Sequence, residues 1–152
     1  VLFRSGITEP RNLLVRIGTS YSFVLEHCGG LKVEAGKLIM GGPMMGMAQS
    51  SLEVPVIKGT SGLLALDTKE AKKHEERVCI SCAHCVDACP MGLVPKEIVA
   101  LVRHGRIAEA GEHHALDCIE CGSCAYVCPA QRPLVHHMRR GKAVVMARRV
   151  KK

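Results

Sequence analysis

The stretch that decides the fold of this 152-residue chain is CISCAHCVDACP, at residues 79–90. Two, two and three residues separate its four cysteines, and a proline directly follows the last. The stretch CIECGSCAYVCP, at residues 118–129, repeats every cysteine and the proline position for position. Three thiols in one short loop can converge on a single metal centre, so the repeat predicts two related metal-binding loops.

Three kinds of site use such cysteines: disulfides, structural zinc and iron–sulfur clusters. Disulfides are disfavoured, because closely spaced thiols stay reduced in a cytosolic protein unless they bind metal or act in catalysis, and the first twenty residues show no signal-peptide pattern. A zinc site could take the first two cysteines of each run, but the other four would then share no role. The full run with its proline is the bacterial ferredoxin pattern, which favours two [4Fe–4S] clusters.

In ferredoxins with two clusters, the fourth cysteine of each run binds the cluster of the other run. This rule predicts crossed ligation here. The first cluster is then held by Cys79, Cys82, Cys85 and Cys128. The second is held by Cys118, Cys121, Cys124 and Cys89. These eight cysteines are the predicted metal and cofactor ligands, and the sequence predicts no catalytic residue.

The part before the cysteines predicts a small α+β unit that resembles a partial β-grasp. Apolar runs predict strands at residues 13–17, 37–40, 54–57 and 63–66, and a turn at 41–46. Thr19 is a candidate cap for a short helix whose apolar face carries Tyr21, Val24, Leu25 and Cys28. We expect Cys28 to lie in the core, as a free cysteine often does.

Changes of composition predict the domain organisation. Residues 1–66 form the β-grasp part, 67–77 a charged helical linker, 78–140 the mainly helical dicluster part, and 141–152 a basic tail. From Val78 onwards we expect helices after Pro95, at 107–110 and from Pro133 to about Val150. The net charge is +7 and seven basic residues follow position 138, yet two Phe, two Tyr and no Trp argue against a nucleic-acid partner. The tail is expected either to be solvated or to dock on an acidic protein or an anionic membrane surface.

Several motifs in both halves together resemble the C subunit of the Rnf electron transport complex, from about residue 7 to 146. They are VRIGT at 15–19, GGPMMG at 41–46, KGTSG at 58–62, CVDACPMGLVP at 85–95 and ALDCIECGSC at 115–124. The first cysteine run departs from the family pattern CIRCGRC at Ser81, Ala83 and His84. Because the cysteines are kept, we expect the departure to affect the cluster potential rather than ligation.

The resemblance implies an SLBB-type β-grasp domain followed by a dicluster ferredoxin domain, as the C-terminal part of a longer subunit. It places FMN and NAD only in a preceding domain that this chain would lack. It implies an ion-translocating ferredoxin:NAD oxidoreductase complex, in which this segment relays electrons through two clusters. The implied partners are the other subunits of the complex, membrane subunits included, and ferredoxin as electron donor or acceptor. The implied location is the cytoplasmic face of the cell membrane, as a peripheral subunit. The alternative is a dicluster subunit of a soluble dehydrogenase or of a microcompartment cobalamin reductase.

Overall fold

A computed structural model describes residues 6–32, 35–71 and 75–150 of the chain. The chain divides into two compact units, Val1–Lys73 and His74–Lys152. Among the described residues, strands occur in the first unit alone and five of the six α-helices lie in the second. This arrangement confirms the α+β class.

The first unit is built on a three-stranded antiparallel sheet with the order β2-β1-β3. Its strands are β1 (Ala35–Met40), β2 (Met47–Gln49) and β3 (Leu63–Asp67). Leu63, Leu64 and Ala65 of β3 are buried, which fits a strand that covers a core. The predicted strands at 37–40 and 63–66 are therefore confirmed.

Helix α1 (Tyr21–His27) packs its apolar face into the core of this unit. Tyr21, Val24, Leu25 and Cys28 are at most 3% exposed, as predicted, and Cys28 is a core residue. The helix begins one residue later than expected, because Ser20 is the cap and its Oγ accepts a hydrogen bond from the Phe23 N–H. The Thr19 hydroxyl instead donates to the carbonyl of Arg16.

Two predicted strands in this unit are wrong. Residues 13–17 and 54–57 are irregular chain, apart from one isolated bridge between Ser20 and Pro55. Pro55 has no N–H to donate to a ladder, so it interrupts the second run. In the first run the side chains of Leu14 and Ile17 are exposed, so the apolar residues do not mark a buried strand there. Strand β2 escaped prediction because three residues carry too little pattern.

All the regular secondary structure in the described part of the second unit is helical. Its helices are α2 (His84–Asp87), α3 (Pro95–Arg103), α4 (Ile107–Glu112), α5 (Ser123–Tyr126) and α6 (Leu134–Val150), and a 3₁₀ turn spans Ala115–Asp117. Pro95 occupies the first turn of α3, where its missing N–H costs nothing. The three helices predicted around the cysteine runs are thereby confirmed.

Helices α3 and α6 form the main packing contact of this unit. Ile98, Val99 and Met138 are at most 1% exposed, and they belong to one core with Leu134 and Val145. An added Cβ at Gly141 would lie 2.5 Å from a methyl group of Val102. The two helices approach each other so closely there that only glycine fits without a shift.

The described residues of the predicted helical linker, 67–71 and 75–77, form a strand end, turns and irregular chain instead of a helix. Residues 72–74 lie outside the described residues. The predicted domain limits, 1–66, 67–77, 78–140 and 141–152, stay predictions. Helix α6 runs across the last of these limits without a break.

Candidate metal centre

The sequence repeat is also a repeat of backbone conformation. In both cysteine loops the residue before the second cysteine is left-handed, with φ 54° at Ser81 and 59° at Glu120. The residue after the second cysteine is left-handed too, with φ 64° at Ala83 and 88° at Gly122. These residues curl each loop tightly around its thiols, and Ala83 and Gly122 then cap the one-turn helices α2 and α5.

The first loop borders a cavity of about 290 Å³. Four thiols line it, those of Cys79, Cys82, Cys85 and Cys128. Apolar groups of Ala100 and Leu134 lie beside them. Three of the thiols come from the first run and the fourth from the second, which is the set predicted for the first cluster.

The second loop borders a smaller cavity of about 20 Å³. The thiols that line it are Cys118, Cys121, Cys124 and Cys89. The structure thus brings each predicted set of four together around one cavity. Ligation itself stays a prediction at all eight positions.

The same geometry disfavours the zinc alternative. A zinc site from the first two cysteines of each run needs them in one place, but Cys79 and Cys82 line the first cavity and Cys118 and Cys121 the second. Within the described ranges, no three His, Cys, Asp or Glu side chains are close enough to hold a single metal ion. Thiols spread around a cavity suit a cluster that takes one thiolate at each corner.

Backbone amides already point at two of the sulfurs. The Leu93 N–H donates to Sγ of Cys89, and the Glu120 N–H donates to Sγ of Cys118, both at 3.4 Å. Such bonds stabilise thiolate charge and tune the potential of a bound cluster. The residues present therefore fit two iron–sulfur clusters.

The thiols differ in acidity because their surroundings differ. Burial, followed by the neighbouring Cys118, raises the pKa of the Cys124 thiol to about 11. Burial also raises the pKa of Cys85 and of Cys118. The hydrogen bond with the Ser123 side chain lowers the pKa of Cys121. Because cysteine binds iron as thiolate, the predicted ligation would require the buried thiols to lose their protons.

Sequence reasoning missed an ion-pair cluster beside the second loop. The carboxylate of Glu120 lies 2.8 Å from Arg139 Nε and 2.9 Å from Lys142 Nζ, both on α6. Lys142 Nζ also donates to the carbonyl oxygen of Cys118 at 2.7 Å. In the sequence, Arg139 and Lys142 belong to a run of seven basic residues with no acidic residue among them. Glu120 lies 19 and 22 positions before them, so no local pattern could reveal the pairing.

The fold and the cysteine cavities define the class of protein. The sequence matches the SLBB domain family over residues 6–48 and the 4Fe-4S dicluster domain family over residues 78–132. The chain therefore consists of an SLBB domain followed by a dicluster iron–sulfur domain, and its cofactors are two [4Fe–4S] clusters.

Comparison with individual relatives identifies the family more closely. The chain is 48% identical, over 69% of its length, to the C subunit of the proton-translocating ferredoxin:NAD(+) oxidoreductase complex of Clostridium ljungdahlii. It is 46% identical over 97% of its length to the C subunit of the ion-translocating oxidoreductase complex of Rhodobacter capsulatus. It is 43% identical over 96% to the C subunit of the Na(+)-translocating ferredoxin:NAD(+) oxidoreductase complex of Acetobacterium woodii. The chain belongs to this family of Rnf C subunits, and it spans 23%, 28% and 33% of these three relatives.

Within the described residues, no helix has the length and apolar character needed to cross a lipid bilayer.

Proposed function

We propose that this chain is the electron-relay segment of an Rnf-type complex, in which two [4Fe–4S] clusters pass electrons within the C subunit. One observation carries the proposal. Two thiol-lined cavities share one helical core, and each takes its fourth cysteine from the other run. Crossed ligands keep two clusters in neighbouring positions, which suits electron transfer between them.

The proposed donor and acceptor come from the names of two of the relatives, in which ferredoxin and NAD are the two ends of the reaction. On this proposal, FMN and NAD bind to a part of the subunit outside this chain, and the reaction drives ion translocation. The proposed partners are ferredoxin and the other subunits, those in the membrane included. The proposed location is peripheral, at the cytoplasmic face of the cell membrane.

A pair of cysteine variants tests the relay and its ligand set in the intact subunit, purified without oxygen. The wild type should hold about eight iron atoms in this region, four for each cube. Cys89→Ser should impair the cluster on Cys118, Cys121 and Cys124 and leave the EPR signal of the other cluster. Its matched counterpart, Cys128→Ser, should do the reverse.

Loss of the first signal in Cys89→Ser would contradict crossed ligation. Zinc in place of iron and sulfide would contradict the relay itself. In the assembled complex, both variants should lose ferredoxin-dependent NAD reduction. If a variant that lacks one cluster kept full activity, that cluster would not be part of the electron-transfer path.

A further inference from the structure

The ion-pair cluster of Glu120, Arg139 and Lys142 lies against the loop that carries three thiols of the second cavity. Glu120 sits between Cys118 and Cys121, and its own N–H donates to Sγ of Cys118. Lys142 joins both parts of this loop, because its ammonium group contacts the Glu120 carboxylate and the Cys118 carbonyl. Two cations on α6 thus meet one anion in the loop.

These charges are partly shielded from water. The side chain of Lys142 is 19% exposed and that of Glu120 is 28% exposed. The Glu120 carboxylate lies 2.8 Å from Arg139 Nε and 2.9 Å from Lys142 Nζ, so it forms ion pairs with both cations. The group therefore carries two positive charges and one negative.

In the first half of the repeat, the position equivalent to Lys142 makes a different contact. Arg103 lies 39 residues before Lys142, the same offset that separates Cys79 from Cys118. It pairs with Glu76 at 2.5 Å, and neither residue lines a thiol cavity, although Arg132, a second partner of Glu76, lines the first. Ser81, the counterpart of Glu120, has no charge. The Lys142–Glu120 ion pair therefore has no counterpart at the equivalent positions of the first half, where the cations that line the thiol cavity are Lys96 and Arg132.

We propose that Lys142 and Glu120 are positioning residues that set the potential of the second cluster, with Lys142 raising it and Glu120 lowering it. Reduction adds one negative charge to a cluster. A nearby cation stabilises that charge and an anion opposes it, and partial burial strengthens both effects relative to water. This inference deepens the proposed function, because it rests on the same ligand set for the second cluster.

The decisive test uses the two ends of one ion pair. Lys142→Met removes a positive charge and should lower the midpoint potential of the second cluster. Glu120→Gln removes a negative charge and should raise it. We expect each shift to correspond to about tenfold in the one-electron equilibrium constant, which is about 59 mV. The measurement is an EPR-monitored redox titration of the intact, anaerobically purified subunit, with the second signal assigned through Cys89→Ser.

A merely structural role predicts another result. Both substitutions weaken the same link between α6 and the loop, so loosening alone would move the potential in one direction or lose the cluster in both variants. Either outcome overturns the proposal, as does an unmoved potential.

Two controls complete the design. Lys142→Arg keeps the charge and should keep the potential within a small shift. Arg103→Met removes a cation at the equivalent position of the first half and should leave the second potential unchanged. A shift in Arg103→Met as large as in Lys142→Met would show that overall charge, and not this contact, is responsible. If the wild type lacks two cluster signals, the ligand assignment fails, whereas wrong signs with both signals present refute this inference alone.

Discussion

Replacing Ala83 by glycine should stabilise the first cysteine loop. Ala83 has a left-handed backbone, with φ 64° and ψ −6°, at the position where the second loop has Gly122 with φ 88° and ψ −13°. An L-residue with a Cβ is strained in that region, and glycine is not. The two repeats can therefore be compared directly, because the same left-handed conformation occurs at an alanine in the first repeat and at a glycine in the second.

The expected magnitude follows from two opposing effects. The left-handed conformation costs alanine about 1–2 kcal/mol. Glycine in turn lowers the free energy of unfolding by about 0.4–1 kcal/mol, because it makes the unfolded chain more flexible. With the middle of each range, the net gain for Ala83→Gly is about 0.8 kcal/mol, and Gly122→Ala should lose a similar amount. A change of that size alters an equilibrium about two- to fivefold.

The assay should follow kinetic stability, because a protein with bound clusters does not unfold in a simple two-state manner. Cluster absorbance is followed in denaturant under anaerobic conditions. Cluster loss should be up to about fivefold slower in Ala83→Gly and up to about fivefold faster in Gly122→Ala than in the wild type. The double variant should return close to the wild-type rate if the two sites act independently. If the clusters were lost faster in Ala83→Gly than in the wild type, the idea that this loop is strained would be refuted.

Two further substitutions probe the core between α3 and α6, again through the rate of cluster loss. Gly141→Ala should destabilise the fold by about 1–3 kcal/mol, because its Cβ would lie 2.5 Å from Val102. Gly111→Ala in α4 is the matched control, because its added Cβ would lie an ordinary 3.4 Å from the nearest atom of Val145 and alanine favours a helix. Equal destabilisation by the two substitutions would argue against the close approach of α3 and α6. Met138→Ala should lower the free energy of unfolding by about 2–5 kcal/mol, because Met138 is fully buried. Met146→Ala, at a residue that is 56% exposed, should change it little. Similar effects of the two substitutions would contradict the packing of α6 seen here.

The sequence predicted the parts of the fold whose signals are local. Periodic apolar residues marked α1 and α3, Pro95 marked a helix start, and the cysteine spacing predicted which thiols meet. The failures have physical causes. Residues 13–17 have the composition of a strand, but a strand also needs a partner, and composition does not reveal that no described strand pairs with this segment. The link between Glu120 and Lys142 depends on how α6 packs against the loop, which is tertiary information.

The cysteines of the second unit also serve as part of its core. Cys124 is buried, and Cys85, Cys89, Cys118 and Cys128 pack against the apolar residues of α3 and α6. If the predicted thiols hold the first cluster, it would occupy the cavity of about 290 Å³ that Leu134 and Ala100 also line. On the proposed ligand set, each cluster also joins the two halves of the repeat, as a cross-link does. Cluster binding and folding of this unit are then coupled, so a substitution that loosens one loop should speed the loss of its own cluster most and that of the other cluster less.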